Sequence, residues 1–301
     1  MTKYIIMVGL PGSGKSTVAK TFGFPVFSSD QYRLKLLGNE NDQSNNQKVF
    51  NALHKDIKEA LQQGKSVVYD ATNINRKARK QAIECAKNID CEIIAYVKCP
   101  DIATCVARNN LRERKVPEEV IMGMMRKFEL PQKFEGFTDI IIDNEYKEEC
   151  RTYLEYLAKR MIDFDQENPH HKFTLAEHCR RVANQFDKDT VEHKAGIIHD
   201  TGKLFTKRKD ERGVAHYYNH DSVGTYIYLN NIEITEENKD KWLEILFFVN
   251  YHMRAHNDLC SAKAERKYRN LFGDKLFDRL MKFAEADRIA TGTEDGKRRE
   301  R

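Results

Sequence analysis

Gly9-Leu10-Pro11-Gly12-Ser13-Gly14-Lys15-Ser16 has the spacing G-x-x-x-x-G-K-[ST]. Glycines in this pattern let successive backbone N–H groups turn inward around a polyphosphate, with Lys15 reaching the β- and γ-phosphates and Ser16 the Mg²⁺. The apolar run Tyr4-Ile5-Ile6-Met7-Val8 precedes it and Thr17-Val18-Ala19-Lys20-Thr21-Phe22 follows. A strand, a glycine loop and a helix N-terminus therefore come in the order that phosphate binding needs. A second chemistry shows first as a distribution: nine of the ten histidines lie at or beyond position 170. Imidazole is the commonest metal ligand. Within this group His199-Asp200 ends an apolar helical pattern, Ala195-Gly196-Ile197-Ile198, and runs into Thr201-Gly202-Lys203.

The elements that must position these groups change character along the chain. Through the first 145 residues, short apolar runs alternate with helical patterns: Tyr4–Val8, Pro25–Ser28, Ser66–Tyr69, Glu92–Val97 and Asp139–Ile142. These predict a parallel α/β sheet, with helices near 14–22, 30–37, 45–63, 76–88, 101–113 and 117–130. After Asn144 a long helical pattern, Tyr146 to about Phe164, predicts a linker over 146–165, and the domain boundary is placed there. Periodic apolar positions in Ala176–Phe186, Val191–His199, Val223–Leu229, Lys241–Tyr251 and Leu276–Ala290 predict an all-helical domain over 166–290. The tail 291–301 is polar and is expected to be disordered.

Composition bounds the rest. A chain of 301 residues suits two domains. Seven cysteines at 85, 91, 99, 105, 150, 179 and 260, without a C-x-x-C pair, predict reduced thiols and no disulfide framework. No apolar run reaches the roughly 18 residues of a membrane span, and a cytoplasmic protein is expected. The net charge of +5 permits a polyanionic substrate without requiring one.

A P-loop leaves the acceptor open, and other strand ends supply candidates. Phe27-Ser28-Ser29-Asp30-Gln31-Tyr32-Arg33 puts a carboxylate at the C-terminal end of the second strand, with an arginine one helical turn on. In an open α/β sheet that edge is the ligand crevice. Asp30 there can take the proton of an attacking hydroxyl and Arg33 can hold an acceptor phosphate, although the same aspartate can also cap the helix. Tyr69-Asp70-Ala71-Thr72-Asn73 sets Asp70 where a metal-supporting carboxylate sits, with Asn73 in reach of the edge. Arg108 and Arg112, four apart, share a helix face and suit either a lid over the transferring phosphoryl group or a solvated helix end.

Together these motifs, G-x-P-G-S-G-K-S-T, D-x-Y-R, D-A-T-N-x-N and R-N-x-x-R followed by V-P, resemble the 5′-kinase domain of phage-type polynucleotide kinase-phosphatases over residues 1–145. The resemblance implies nucleotide contacts from Gly9, Pro11, Gly12, Ser13, Gly14, Lys15, Ser16 and Thr17, and ATP or another nucleoside triphosphate with Mg²⁺. It implies Asp30 as the base toward a 5′-OH and Arg33 on the acceptor's 3′-phosphate. Arg108 and Arg112 would belong to the lid over the donor phosphates, and Asp70 and Asn73 would face the substrate. Phage members often carry Asp-Asp before Tyr-Arg, whereas this chain has Asp30-Gln31.

The D-x-D-G-T phosphatase motif paired with those kinases does not occur here. Instead His178, His199, Asp200, His220, His252 and Asp287 follow the order of the HD phosphohydrolase superfamily. The wording around them is similar to the HD domain of bacterial tRNA-nucleotidyltransferases, which acts on 2′,3′-cyclic and 2′ phosphates. Bacterial end-healing enzymes also join an HD module to a polynucleotide kinase, though there the HD module can come first. The resemblance implies that His178, His199, Asp200 and Asp287 hold one divalent ion; His220 and His252, with Asp200 bridging, would complete a two-metal site for Mn, Co, Ni or Fe. Lys203 would hold a phosphate oxygen. His54, His193 and His216 read as surface or satisfied histidines, and His170, His171 and His256 stay unassigned.

The expected fold is thus an α/β P-loop kinase domain, a parallel sheet flanked by helices, followed by an all-α HD domain. The expected function is end healing: phosphorylation of a 5′-OH and removal of a 2′,3′-cyclic, 2′ or 3′ phosphate. RNA is favoured over DNA as partner, because cyclic phosphates need a 2′-OH, and an RNA ligase could share the pathway. Two alternatives stay open: a small-molecule or nucleoside kinase fused to an HD nucleotidase, and a nucleotide-sensing protein with a non-catalytic HD module.

Overall fold

A computed structural model describes residues 1–257 and 261–293. The chain divides into two compact units, 1–124 with 131–145, and 125–130 with 146 onward.

In the first unit five strands, β1 (Lys3–Val8), β2 (Val26–Ser28), β3 (Val67–Asp70), β4 (Glu92–Lys98) and β5 (Asp139–Asp143), form one sheet in the order β2-β3-β1-β4-β5. Every pairing is parallel, with Tyr4 beside Val67 and Ile93, and Ile94 beside Asp139. Six helices connect them: α1 (Lys15–Thr21), α2 (Ser29–Leu37), α3 (Asn46–Gln62), α4 (Arg76–Glu84), α5 (Ile102–Asn110) and α6 (Glu118–Met125). All five expected strands form.

Helices on both faces leave β1 and β3 buried almost throughout, which explains their unbroken apolar runs. α3 shows how a helix is fixed. Val49, Leu53, Ile57 and Leu61 recur at four-residue spacing and are buried, each contributing about 1.5–3 kcal/mol. Asn45 caps it by accepting from the Lys48 N–H. A buried bidentate pair, Arg79 Nε to Glu135 Oε2 at 2.9 Å and Nη2 to Oε1 at 2.8 Å, ties α4 to the turn before β5.

The second unit holds α7 (Glu148–Ile162), α8 (Leu175–Ala183), α9 (Val191–Ile198), α10 (Lys203–Thr206), α11 (His220–Asn231), α12 (Lys239–Asn257), α13 (Ala262–Phe272) and α14 (Asp274–Ala290). Three expectations change here. The region is not wholly helical, because β6 (Arg208–Lys209) and β7 (Ala215–His216) form an antiparallel hairpin before α11. The pattern over 146–165 is no free linker, since α7 buries Leu157 and Met161 and packs on α8 and α11. The helix expected over 117–130 ends at Met125, and 125–130 joins this unit: Asn250 brackets the segment, donating to Phe128 O at 3.2 Å and accepting from the Leu130 N–H at 2.9 Å.

Thr291 O accepts from the Lys172 N–H, so the polar tail starts tied down; residues 294–301 lie outside the described residues, as does Cys260. Cys85, Cys91, Cys150 and Cys179 are free thiols. Among the described residues no helix is long and apolar enough to cross a membrane.

Candidate functional sites

The C-terminal ends of all five strands carry polar chemistry along one edge of the sheet. β1 ends in the glycine loop, β2 in Asp30, β3 in Asp70, β4 in Lys98, and β5 in Asp143 and Glu145. The chain passes from β3 to β4 across β1, so the loop lies at the switch point where such sheets bind ligands.

The loop's glycines are needed for separate reasons. Gly12 and Gly14 have φ of 77° and 91°, and a Cβ on Gly12 would stand 2.0 Å from Cys105 O. Gly9 adopts ordinary backbone angles, yet its Cβ would stand 2.5 Å from Lys98 O. Ser13 is fully buried with its Oγ unpartnered, and Ser16 and Thr17 at the start of α1 are exposed. Lys15 as a whole residue keeps some exposure; desolvation of its ammonium lowers its pKa, against the pull of Asp70 and Asp30, and Arg112 adds to the lowering. Asp70 is buried with Oδ1 unpartnered. An orphaned carboxylate oxygen facing a lysine fits the Mg²⁺ and phosphate that this loop implies.

Asp30 Oδ1 accepts from Arg33 Nη1 at 2.8 Å, and Asp30 Oδ2 pairs with Arg114 Nη1 at 2.7 Å. Arg33 also reaches Asn46 Oδ1 at 3.3 Å and lies over the Phe50 ring. Asn73, expected to face the substrate, also braces the fold. Its backbone is left-handed, φ 46°, and its amide donates to Met7 O at 2.9 Å, tying the end of β3 to the strand that feeds the loop.

Arg108 leans on the loop, with Nη1 3.4 Å from Ser13 O, but its guanidinium is held bidentately by Glu145 at 2.8 and 3.0 Å. Lys98 Nζ bridges Glu145 and Asp143 at 2.9 and 2.7 Å. Arg108, seconded by Lys98, pulls the Glu145 carboxyl down to about 2. The sequence reading missed Glu145 and the role of Arg114. Arg114 stands in the same arginine run as Arg108 and Arg112, which was the available signal, whereas nothing in the local sequence marks Glu145.

In the second unit five helices bring all six candidate ligands to one point. His178 comes from α8, His199-Asp200 from the end of α9, His220 from the start of α11, His252 from α12 and Asp287 from α14. Glycines set the approach. A Cβ on Gly196 would meet Ala183 Cα at 2.7 Å, and one on Gly202 would meet His220 O at 1.9 Å.

Asp200 divides its oxygens. Oδ2 lies 3.3 Å from His178 Nε2, 3.4 Å from His199 Nε2 and 2.7 Å from Lys203 Nζ. Oδ1 lies 2.9 Å from His220 Nε2 and 3.7 Å from His252 Nε2. Asp287 Oδ1 stands 2.9 Å from His178 Nε2, and Oδ2 2.9 Å from His256 Nε2. Three sets of ligand atoms, His178/His199/Asp200, His199/His252/Asp287 and Asp200/His220/His252, each lie within 4.8 Å.

The Nδ1 atoms of His199, His220 and His252 face the carbonyls of Gly196, Tyr217 and Val249, which turns each Nε2 inward. Burial would lower His178, but Asp200 and Asp287 outweigh it and raise it to about 9. Burial opposes ionisation of Asp200, yet Lys203 and His199 hold it well below the carboxylate range. Burial lowers His252. Crowded nitrogens and carboxylate oxygens, nearly sealed from water, fit a divalent cation better than they fit one another.

Around the cluster Lys203 Nζ donates to Gln166 Oε1 at 2.9 Å and stands 3.4 Å from His171 Nε2. Burial, then Lys203, pushes His171 down to about 3. His171 and His256, unassigned from the sequence, therefore flank the cluster; His256 follows His252 by four residues on one helix, a spacing that could have marked it. His193 and His216 are satisfied by Ala183 O and Asp210.

Residues 5–131 match the family model described as "AAA domain". Over 178 residues, 54% of this chain and 69% of the relative, the sequence is 29% identical to L-seryl-tRNA(Sec) kinase of Methanococcus maripaludis. Over 145 residues it is 28% identical to the bifunctional polynucleotide phosphatase/kinase of Schizosaccharomyces pombe, a match spanning 45% of this chain and 32% of that protein. Among solved structures, the Pnkp1/Rnl/Hen1 RNA repair complex aligns with 41% of this chain and 42% of that chain at 22% identity and a TM-score of 0.38. The amino-terminal unit of this chain is thus similar to P-loop kinases, a likeness that supports a kinase and implies ATP and Mg²⁺.

Proposed function

We propose that the chain is a bifunctional nucleic-acid end-healing enzyme. Its kinase domain phosphorylates 5′-OH ends from ATP, and its second unit is an HD-type phosphohydrolase that removes 2′,3′-cyclic, 2′ or 3′ phosphates. The observation that carries this reading is the convergence of His178, His199, Asp200, His220, His252 and Asp287 in a chain that also carries a P-loop kinase domain. Both chemistries suit opposite ends of one broken strand. RNA is the favoured substrate, since cyclic phosphates form only beside a 2′-OH, and a ligase would be the natural successor in such a pathway.

In the kinase domain Lys15, Ser16 and the loop N–H groups would hold the nucleotide and Mg²⁺, with Asp70 as a further support for the metal. Asp30 takes the hydroxyl proton, Arg33 orients the acceptor, and Arg108 and Arg112 close over the donor phosphates. In the second unit the six ligands would hold one or two divalent transition ions, which supply an activated water and offset phosphate charge. Lys203 would steady a phosphate oxygen. Asp200 would offer both oxygens to the ligand set, and Gln166 keeps Lys203 in place.

The test supplies an RNA with 5′-OH and 2′,3′-cyclic phosphate ends, together with ATP and Mg²⁺, Mn²⁺, Co²⁺ or Ni²⁺. Gain of a 5′ phosphate and loss of the cyclic phosphate are expected. An unlabelled 5′ end sinks the kinase half, and an intact cyclic end with every metal sinks the other. The match to a seryl-tRNA kinase favours a second reading, an acceptor hydroxyl carried elsewhere on an RNA or on a small molecule. Competition between nucleosides, seryl-tRNA and oligonucleotides separates them.

A further inference from the structure

Asp30 has both carboxylate oxygens engaged by guanidinium groups. The two arginines are held differently. Arg33 follows Asp30 by one turn of α2, is 8% exposed and is braced by Asn46. Arg114 comes from the non-helical, mostly exposed stretch 111–117 between α5 and α6. Its remaining contacts are polar groups of the 39–42 turn, Nε donating to Asn41 Oδ1 at 2.7 Å and Nη1 standing 3.7 Å from Glu40. Arg33 is fixed to the base's own helix, whereas Arg114, its side chain 17% exposed, reaches the same carboxylate from a loop.

We propose that Arg114 is an acceptor-specificity residue: it latches Asp30 until a phosphate on the acceptor takes its guanidinium and frees Oδ2 for the attacking hydroxyl. This rests on the polynucleotide kinase reading. A guanidinium fork fits phosphate as well as carboxylate, so a phosphate-bearing acceptor leaves Arg114 paired throughout. A neutral acceptor must strip Arg114 from Asp30 and leave it only Asn41 and the more distant Glu40, which raises the barrier for nucleosides and sugars. Once Oδ2 is free, the hydroxyl proton passes to it as the oxygen bonds to the γ-phosphorus and the bond to ADP breaks. Arg33 keeps Asp30 oriented throughout, and the same contact prevents attack by water on ATP while no acceptor is bound.

The experiment compares wild type, Arg114→Gln and Arg114→Lys with a nucleoside, a nucleoside 3′-phosphate and a 5′-OH oligonucleotide, and measures ATP hydrolysis without acceptor. Arg114→Gln is expected to lower kcat/KM for phosphate-bearing acceptors about tenfold, the scale of one charge-assisted contact. The nucleoside rate should hold or rise and ATP hydrolysis should rise several-fold, with Arg114→Lys restoring part of the selectivity. An equal fall on charged and neutral acceptors overturns the proposal. If the wild type phosphorylates none of the three, the polynucleotide reading fails; unchanged ATP hydrolysis in Arg114→Gln then overturns the latch as well.

Discussion

Asp200 touches His178, His199 and Lys203 through one oxygen, and His220 and His252 through the other. In the metal-free chain His178 titrates near 9 because two carboxylates surround it, so at neutral pH it carries a proton that any metal must displace. Metal affinity should therefore climb with pH from neutral upward, with proton release seen by calorimetry in buffers of different ionisation enthalpy. Affinity that stays constant from neutral pH to 9 would contradict the ligand assignment of His178. Glu145 offers a test in the kinase domain. Its carboxyl titrates near 2 in the fold against 4.5 for an unstrained glutamate. The stability this gives is present above 4.5 and is lost as pH falls through 2. Allowing for the partial exposure of the pair, about 1–2 kcal/mol is at stake, and Glu145→Gln should flatten acid unfolding over that window. Residues of this kind divide by how they reveal themselves. The ligands stood out because imidazoles are scarce elsewhere in the chain, whereas Glu145 is one carboxylate among many and depends on a left-handed turn, φ 55°, that its sequence does not announce.

Elements were legible where burial imposes a period. The strands of the first unit are apolar on both faces and the core helices carry four-residue stripes, so both appear as pattern. The parts missed obey weaker constraints. α13 buries Tyr268 and Phe272 alone among strongly charged neighbours, and the β6–β7 hairpin is held by two residues a side, too short for alternation to show. Segment 125–130 carries an apolar run like any other, and only the bracket from Asn250 shows which core it joins. Close helix crossings are also silent in periodicity, yet they position the histidine cluster. Gly202 has ordinary backbone angles, so Gly202→Ala acts through the space between α10 and the first turn of α11 alone. Forcing a methyl against His220 O should cost about 1–3 kcal/mol. Since His220 is the residue pushed, metal retention should fall in parallel with thermal stability. A stable Gly202→Ala protein with unaltered metal content would show that the crossing does not set the cluster.

At the scale of the whole chain, the two candidate sites draw on disjoint sets of residues. The loop, Asp30, Arg33, Asp70, Arg108 and Arg112 all lie within 1–124, and the histidine cluster lies entirely within 146–293. No side chain is shared, so removal of a group in one site leaves every contact in the other intact. Changes at sites that share no contacts or partners usually add to within a few tenths of a kcal/mol. Asp30→Ala should therefore abolish 5′ phosphorylation while phosphate removal continues near the wild-type rate, and Asp200→Ala should do the reverse. Each variant supplies the folding control for the other, because the surviving activity reports an intact protein. Product ends of a single RNA carrying 5′-OH and 2′,3′-cyclic phosphate read both rates in one assay. Loss of both activities from either substitution would mean that the two chemistries depend on one composite site, and the assignment of one reaction to each unit would have to be abandoned.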